Sequence, residues 1–413
     1  VFNRGIHLEV RVEIETLPPA VDQIVARVFT VDTYILGDPK KNFVICYSGR
    51  LRVEDSAAAY DQLTGWLKPY DLTPLFRVEK EVQKVYLIRG LPKPKESNPW
   101  VNLVLFGLTI VSVLLTGATL AYQGPEVTTI GDLLRVSLAN LSNGLPFALS
   151  MMAILSAHEF GHYFAGRYHG VHVSLPYFIP LPFSQFGTMG AFINLKEPVK
   201  NRRILLDIGI AGPLAGLAVA IPVLALGLWL SKVSPLPASV DAGTGLQLEG
   251  NSLLYLLIKR IVLGEWLPAP ASYQGLPPVI YWIRYLLTGT PLPLGGMDVM
   301  LHPVAWAGWA GILVTSLNLI PAGQLDGGHI LYVVFGKDGA RKILPLILML
   351  MMLLGIFWNG WWLWGILILM LGRVYAEPLD QITPLDGRRK RLAILALGVF
   401  ILVFTPVPLV LWG

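Results

Sequence analysis

The segment Ala157 to Tyr163 holds two histidines four positions apart, His158 and His162, with the carboxylate of Glu159 between them. Four residues turn an α-helix through about 400°, so both imidazoles leave one face a single turn apart. Neutral imidazoles at that spacing suit a tetrahedral zinc ion. Glu159 projects about 100° round the helix, where it reaches a water beside the ion without being a ligand. The plain alternative is a pair of helix histidines satisfied by their neighbours. The surroundings weigh against it. The motif lies in the apolar run Leu145 to Gly166, and three ionisable groups in such a run need a partner, of which a metal ion is the most economical.

A zinc site that can do hydrolytic work needs a third protein ligand and one open position. His7, His169, His172, His302 and His329 are the other histidines, and none repeats the spacing. The better candidate is Asp326, in the stretch from Asn318 to His329 just past an apolar run. A carboxylate buried there needs a partner, and Gly327 and Gly328 let the backbone approach another helix. Two roles stand open for it: third ligand, or cap of a helix starting at Gly327. Asn318 likewise has two: an amide donor to an oxyanion beside the metal, or a helix-packing hydrogen bond. The single cysteine, Cys46, excludes a disulfide framework and a cysteine-based metal cluster.

These residues need helices set in lipid, and the composition supplies them. Of 413 residues, 54% are hydrophobic and 14% charged, where soluble domains run at about a quarter charged. This excludes an ordinary cytosolic enzyme, a disordered chain and a collagen-like fibre. The expected fold is a polytopic α-helical membrane protein with about seven spans, each needing about 20 apolar residues. The candidate spans are Val101 to Tyr122, Leu145 to Gly166, Ile204 to Leu230, His302 to Ile320, Ile343 to Phe357, Trp361 to Leu371 and Leu392 to Trp412. Gly212-Pro213 is expected to kink the third. The pair Gly212 and Gly216 is a small-xxx-small pattern for close helix packing. No inverted repeat is visible.

Residues 1–96 differ from the rest. Strand-like runs at Asn42 to Tyr47 and Gln83 to Ile88 flank a helical period from Ala57 to Leu67, which predicts a small soluble α+β domain, roughly βαβ-like with an extra hairpin. The division expected is 1–96 for that domain, 97–390 for the metal-bearing core and 391–413 for a C-terminal transmembrane helix. The chain opens on Val1 without a signal-peptide pattern, so residues before it are expected. The net charge of +5 acts as a topology signal, and no basic face for nucleic acid is seen. Lys196, Lys200, Arg202 and Arg203, then Lys337, Arg341 and Lys342, then Arg388 to Arg391 all fall on the side of the N-terminal domain, which places that side in the cytoplasm. Asp207 is expected to pair with Arg202 or Arg203, and His169 and His172 to be solvated loop residues.

Val173 to Leu195 follows the metal helix directly and contains Pro176, Pro180, Pro182, Gly187 and Gly190. That composition is hostile to a continuous helix. Strand-like residues sit at the centre of Gly190 to Leu195. The expectation is a re-entrant extended segment that folds back beside the metal and offers an edge strand to a peptide.

Together these motifs make the chain similar to the site-2 protease family of intramembrane zinc metalloproteases, over about residues 140–390. His158-Glu159-Phe160-Gly161-His162 resembles the family's first motif. Asn318, Pro321, Leu325, Asp326 and Gly327 resemble its second, in the longer-spaced form of plastid and cyanobacterial variants. The segments Gly187 to Ile193 and Asp207 to Pro213 also look familial. The resemblance implies that His158, His162 and Asp326 bind Zn2+, that Glu159 is the base and that Asn318 supports the site. It also implies cleavage of single-span or other membrane protein substrates within the lipid bilayer. The PDZ domain of many relatives has no counterpart pattern in Ser231 to Leu301. Two rival classes are a membrane metal-ion transporter, which would repeat its sites along a path, and an inactive protease-like membrane chaperone, which would have lost one of the key residues.

Overall fold

The structure is a computed structural model, describing residues 18–38, 43–90, 97–124, 129–182, 184–239, 246–372 and 374–412. Asn42 and His7, singled out above, lie outside the described residues. The chain divides into two compact units.

The first unit comprises Val1–Pro94, Glu197–Arg203 and Glu377–Leu385. Helix α1 (Pro19–Val28) is followed by β1 (Phe29–Asp38), β2 (Phe43–Leu51), α2 (Ser56–Leu67), β3 (Leu72–Glu79) and β4 (Val82–Arg89). Helix α1 buries Val21, Val25 and Val28, a spacing of four and three that lines one face. Helix α2 is capped by Asp55, whose carboxylate accepts from the amides of Ala57 and Ala58. It buries Ala59, Tyr60, Leu63 and Leu67. Both faces meet Phe29, Ile45, Tyr47, Phe76, Val85 and Leu87 in one apolar core. The sheet order is β1-β2-β4-β3, with every neighbouring pair antiparallel. Strands β2 and β3 therefore run parallel, joined by α2 with β4 between them, a split βαβ arrangement.

The unit also draws in two segments from beyond residue 100. The Phe76 amide donates to the Leu379 carbonyl, and the Gln381 amide donates to the Phe76 carbonyl. These bonds cover the outer edge of β3, which a free sheet edge requires. Asp380 is fully buried, its carboxylate accepting from the Ile382 and Thr383 amides.

The second unit holds the apolar helices. In order it contains α3 (Pro99–Leu120), α4 (Ile130–Ala139), α5 (Leu141–Tyr168), β5 (Tyr177–Pro180), β6 (Thr188–Phe192), α6 (Arg202–Trp229), β7 (Lys232–Pro235), β8 (Leu246–Glu249), α7 (Leu253–Leu263), α8 (Pro278–Thr288), β9 (Met297–Met300), α9 (Pro303–Asn318), α10 (Asp326–Leu354), α11 (Gly360–Leu371), α12 (Gly387–Val403) and β10 (Leu409–Trp412). By length and composition, α3 and α6 are long and apolar enough to cross a membrane, and α4 with α5 makes a third if that pair, bent by 86°, is one span. The protein is thus a helical membrane protein.

The remaining expected spans take other forms. Helix α9 has 16 residues and α11 has 12, which at 1.5 Å each fall short of a hydrocarbon core about 30 Å thick. Helix α10 is interrupted at Gly336, whose φ of 71° no ordinary helical residue adopts. The final expected helix, 391–413, stops at Val403. Pro406 and Pro408 follow, neither of which can donate to a helix, and the chain continues as β10, antiparallel to β8.

The segment after α5 is extended, as its prolines and glycines require. Strands β5 and β6 form a two-stranded antiparallel sheet, pairing Tyr177 with Phe192 and Phe178 with Ala191. Extended backbone packed against an apolar helix needs partners for its carbonyls, and α3 supplies them. The Asn102 amide group donates to the Leu175 and Pro176 carbonyls at 2.9 Å, and the Ser112 hydroxyl donates to the Gly187 carbonyl at 2.6 Å. Ten residues of helix separate those anchors, so the hairpin lies along roughly 15 Å of α3.

Residues 231–301 carry α7, α8 and three four-residue strands around a buried polar cluster. Lys259 is fully buried, its Nζ 4.4 Å from the centre of the Tyr255 ring. The Tyr255 hydroxyl donates to Glu249 at 2.9 Å, and the Asn251 amide donates to the Tyr285 hydroxyl. Burial, reinforced by the negative charge of Asp298, pushes the Glu249 carboxyl up from 4.5 to about 7, against the opposing pull of Lys259. Burial raises Asp298 as well. A carboxyl raised in the folded state adds stability below its unfolded value and loses it as pH rises through its folded value. Hydrogen exchange of residues 246–300 is therefore expected to accelerate as pH rises from about 5 to 7, after correction for intrinsic rates. Equal corrected protection at both pH values would contradict the buried protonated carboxyl.

Candidate metal centre

Helix α5 runs unbroken through the histidine pair, so the expected single-face geometry is realised. The His158 and His162 rings lie 5.0 Å apart, and both residues are buried with Glu159. Helix α9 delivers Asn318 at its last position, and the chain turns through residues 319–325 before α10 begins at Asp326. That turn is tight. A Cβ on Gly327 would lie 1.9 Å from the Leu319 carbonyl oxygen, and one on Gly328 would lie 2.3 Å from that of Gly323. The glycines therefore press α10 against its own preceding turn rather than against another helix, which corrects the reading made from sequence.

Asp326 is the first residue of α10. The cap position belongs to Leu325, and no side chain caps the helix. The carboxylate instead turns to the histidines: Oδ2 lies 3.3 Å from His158 Nε2 and 3.4 Å from His162 Nε2. Ligand atoms of His158, His162 and Asp326 all lie within 4.8 Å of one another. His162 Nδ1 is 2.8 Å from the Ile208 carbonyl. A carbonyl only accepts, so Nδ1 carries the proton and Nε2 keeps its lone pair toward the centre, the usual arrangement for a metal-bound imidazole. The Asn318 amide nitrogen is 3.3 Å from His158 Nε2. All five expected site residues thus line one cavity of about 190 Å3, together with Ala191, Phe192, Ile193, Leu195, Gly209 and His329.

Two imidazoles and a carboxylate at these separations fit a tetrahedral divalent ion with one position open to the cavity. Asp326→Ala is expected to lower metal affinity by more than about 100-fold, beyond what outer-shell changes cost. Chelator competition followed by elemental analysis measures this, and undiminished affinity would remove Asp326 from the ligand set.

Helix α6 is shaped to this centre. Its glycines at 209, 212 and 216 lie under His329, His162 and His158: a Cβ there would come within 3.3 Å, 2.0 Å and 3.0 Å of those side chains respectively. The close packing read from Gly212 and Gly216 is therefore packing against the metal helix itself. Asp207 does not pair with Arg202 or Arg203. Its carboxylate accepts from Arg389 Nε at 2.9 Å and Nη2 at 2.5 Å, and lies 3.0 Å from His169 Nε2. The Arg389 guanidinium on α12 meets it with two nitrogens, the two-pronged geometry of a strong arginine–carboxylate pair. His169 is consequently a partner of Asp207 rather than a solvated loop residue. The cavity role of His329 escaped sequence reading because it does not repeat the histidine spacing. Its one available signal was its position a single turn after Asp326.

The model for Peptidase family M50 matches residues 146–357 of this chain. The chain is also similar to curated plant proteins. It is 28% identical to "Probable zinc metalloprotease EGY2, chloroplastic" of Arabidopsis thaliana over 95% of this chain and 66% of the relative. It is 30% identical to "Probable zinc metalloprotease EGY1, chloroplastic" of Oryza sativa subsp. japonica over 78% of this chain and 53% of the relative. Identity to the protein of that name in Arabidopsis thaliana is 32%, over 64% and 43%. The chain therefore spans two thirds or less of the length of these relatives. No solved structure matches it.

Proposed function

The chain belongs to Peptidase family M50, the site-2 protease family that its motifs resemble, and we propose that it is a zinc-dependent endopeptidase that cuts a peptide bond within or near a transmembrane helix of another protein. The observation that carries this reading is the convergence of His158, His162 and Asp326 with Glu159 in one cavity bordered by an extended strand. His158, His162 and Asp326 would hold the ion. Zinc supplies Lewis acidity there, making water a stronger acid and a carbonyl a better electrophile. Glu159 takes the proton of the attacking water and passes it to the leaving amine. Asn318 donates to the oxygen that gains charge during attack. A transporter reading has weaker support, since the ligand set is a single one among the described residues.

The wider architecture we propose is about seven crossings, with the short helices α9 and α11 sheltered in the bundle. Residues 1–96 lie on the cytoplasmic side as a soluble domain, residues 97–390 form the hydrolytic core and the C-terminal segment from 391 anchors it. The test is direct. Purified protein should cut a single-span substrate inside its span, and a zinc chelator should stop it. A zinc-loaded preparation unable to cut any membrane or unstructured substrate would overturn the reading.

Hydrolysis of a helix requires its backbone to be unwound and held. The hairpin of β5 and β6 suits that task, because Ala191, Phe192 and Ile193 border the cavity. The Gly190 amide donates to the Thr188 hydroxyl, which in turn donates to the Ile179 carbonyl on β5. Backbone groups alternate sides along a strand, so the Ala191 amide faces the unpaired edge. A substrate strand adding there would accept from it. Ala191→Pro removes that donor while keeping an extended φ. Loss of one such bond, at about 1 to 1.5 kcal/mol, predicts roughly tenfold slower cleavage with metal retained. Unchanged kcat/KM in Ala191→Pro would end the edge-strand model.

A further inference from the structure

We propose that His329 is a second catalytic hydrogen-bond donor, acting with Asn318 on the oxygen of the scissile carbonyl. This deepens the endopeptidase reading and rests on it. His329 lines the same cavity as His158, Glu159, His162, Asn318 and Asp326. It follows Asp326 by three residues on α10, about 300° round, so the two side chains flank each other on one helix face.

Three observations bear on its role. It stands outside the set of ligand atoms that converge within 4.8 Å, so it leaves the open coordination position open. Its Nδ1, like that of His158, is buried and has no hydrogen-bond partner among the described residues. Finally, Gly209 lies against it, with 3.3 Å between the His329 Cβ and a Cβ built at 209. The same stripe of α6 glycines seats the rings of His158 and His162, so α6 packs against the root of the His329 side chain as well as against those two rings.

The step balances without any net proton from His329. Water oxygen bonds to the carbonyl carbon, the carbonyl π pair moves onto oxygen, and Glu159 receives the water proton. The charged oxygen accepts an N–H from His329 and another from Asn318. When the C=O bond re-forms, the C–N bond breaks and the amine leaves with the proton from Glu159. Two donors to one oxygen form the usual oxyanion-stabilising arrangement, and removing one typically costs about 100-fold or more in kcat.

The test uses full-length protein carrying His329→Ala or His329→Gln beside wild type. Zinc content, kcat and KM on a single-span substrate are measured, with the affinities of a phosphinic pseudopeptide and its amide counterpart. His329→Ala should keep zinc, leave KM within about threefold and lower kcat at least 100-fold. Its affinity for the tetrahedral phosphinic mimic should fall in parallel while amide affinity holds, and His329→Gln, with its amide donor, should recover part of both. Loss of zinc in both variants, a rise in KM alone, or an unchanged kcat each overturns the proposal. If wild type cuts and His329→Ala cuts equally, only this inference falls. If zinc-loaded wild type cuts nothing, the endopeptidase reading falls and takes this one with it.

Discussion

Glu159→Gln is expected to lower cleavage by about 1,000-fold or more while leaving the metal bound, the size of effect that a positioned acid–base group supplies at the upper part of its range. Geometry separates the two functions. Glu159 is adjacent to His158 in sequence but about 100° away on the helix, and it stands outside the trio whose ligand atoms converge. It nevertheless borders the same cavity and is buried, so it meets a water entering the open position. Glutamine keeps the shape and a hydrogen-bonding oxygen but cannot take up a proton and release it to an amine. Elemental analysis of purified Glu159→Gln should therefore show wild-type zinc content, beside cleavage near the background. Zinc lost from that variant would make Glu159 a ligand and undo the assignment of roles.

What could be read from the sequence follows the range of each interaction. The His158–His162 pair is local: its spacing and the helix pitch settle its geometry, so it was legible without a fold. Asp326 was legible only in part. Its burial cost pointed to a partner, but the choice between ligand and cap depended on whether α10 began at Asp326 or after it. The structure starts the helix one residue earlier than the sequence reading did, and this frees the carboxylate for the histidines. Asp207 shows the opposite case. Arg202 and Arg203 are its neighbours in sequence, whereas Arg389 reaches it from another helix. The buried cluster of Glu249, Lys259 and Asp298 was invisible for the same reason, because its members are scattered over fifty positions and meet only through the pairing of short strands and helices.

The extended hairpin lies between these extremes. Pro176, Pro180, Pro182 and two glycines made a continuous helix untenable, so its extended character was legible from local chemistry. Its anchoring was not. Asn102 and Ser112 sit in an apolar helix where they look like ordinary tolerated polar residues, and only the carbonyls of 175, 176 and 187 give them a reason. The last expected helix ends early for a related cause. Apolarity continues to Trp412, but Pro406 and Pro408 divert the chain into a strand, and hydropathy alone does not register the missing amide donors.

The Gly212→Ala change carries the sharpest expectation of any substitution outside the ligands. In an ordinary helix interior this replacement adds about 1 kcal/mol of helix stability. Here the added methyl would lie 2.0 Å from His162 Nε2, 2.3 Å from Cδ2 and 2.4 Å from Cε1. Those atoms are the metal-facing end of the ring. The ring cannot rotate away freely, since Nδ1 is held by the Ile208 carbonyl one turn earlier on the same helix. Nor do the helices stand apart with room to spare, because a Cβ on Gly161 would lie 2.6 Å from the Ala211 carbonyl oxygen. Either His162 gives up its position or α6 moves off α5, and both outcomes dismantle the ligand set. Zinc affinity is expected to fall by at least about 100-fold, with cleavage falling alongside, since displacing a ligand costs more than disturbing its outer partners. Gly216→Ala, at 3.0 Å from His158 Nδ1, should show a smaller loss. Gly398→Ala in α12, where nothing lies within 4 Å, should bind zinc normally and melt at or slightly above the wild-type temperature. Chelator competition on the three variants reads the order directly, and a Gly212→Ala protein with wild-type zinc affinity would refute the claim that α6 is cut to the shape of His162.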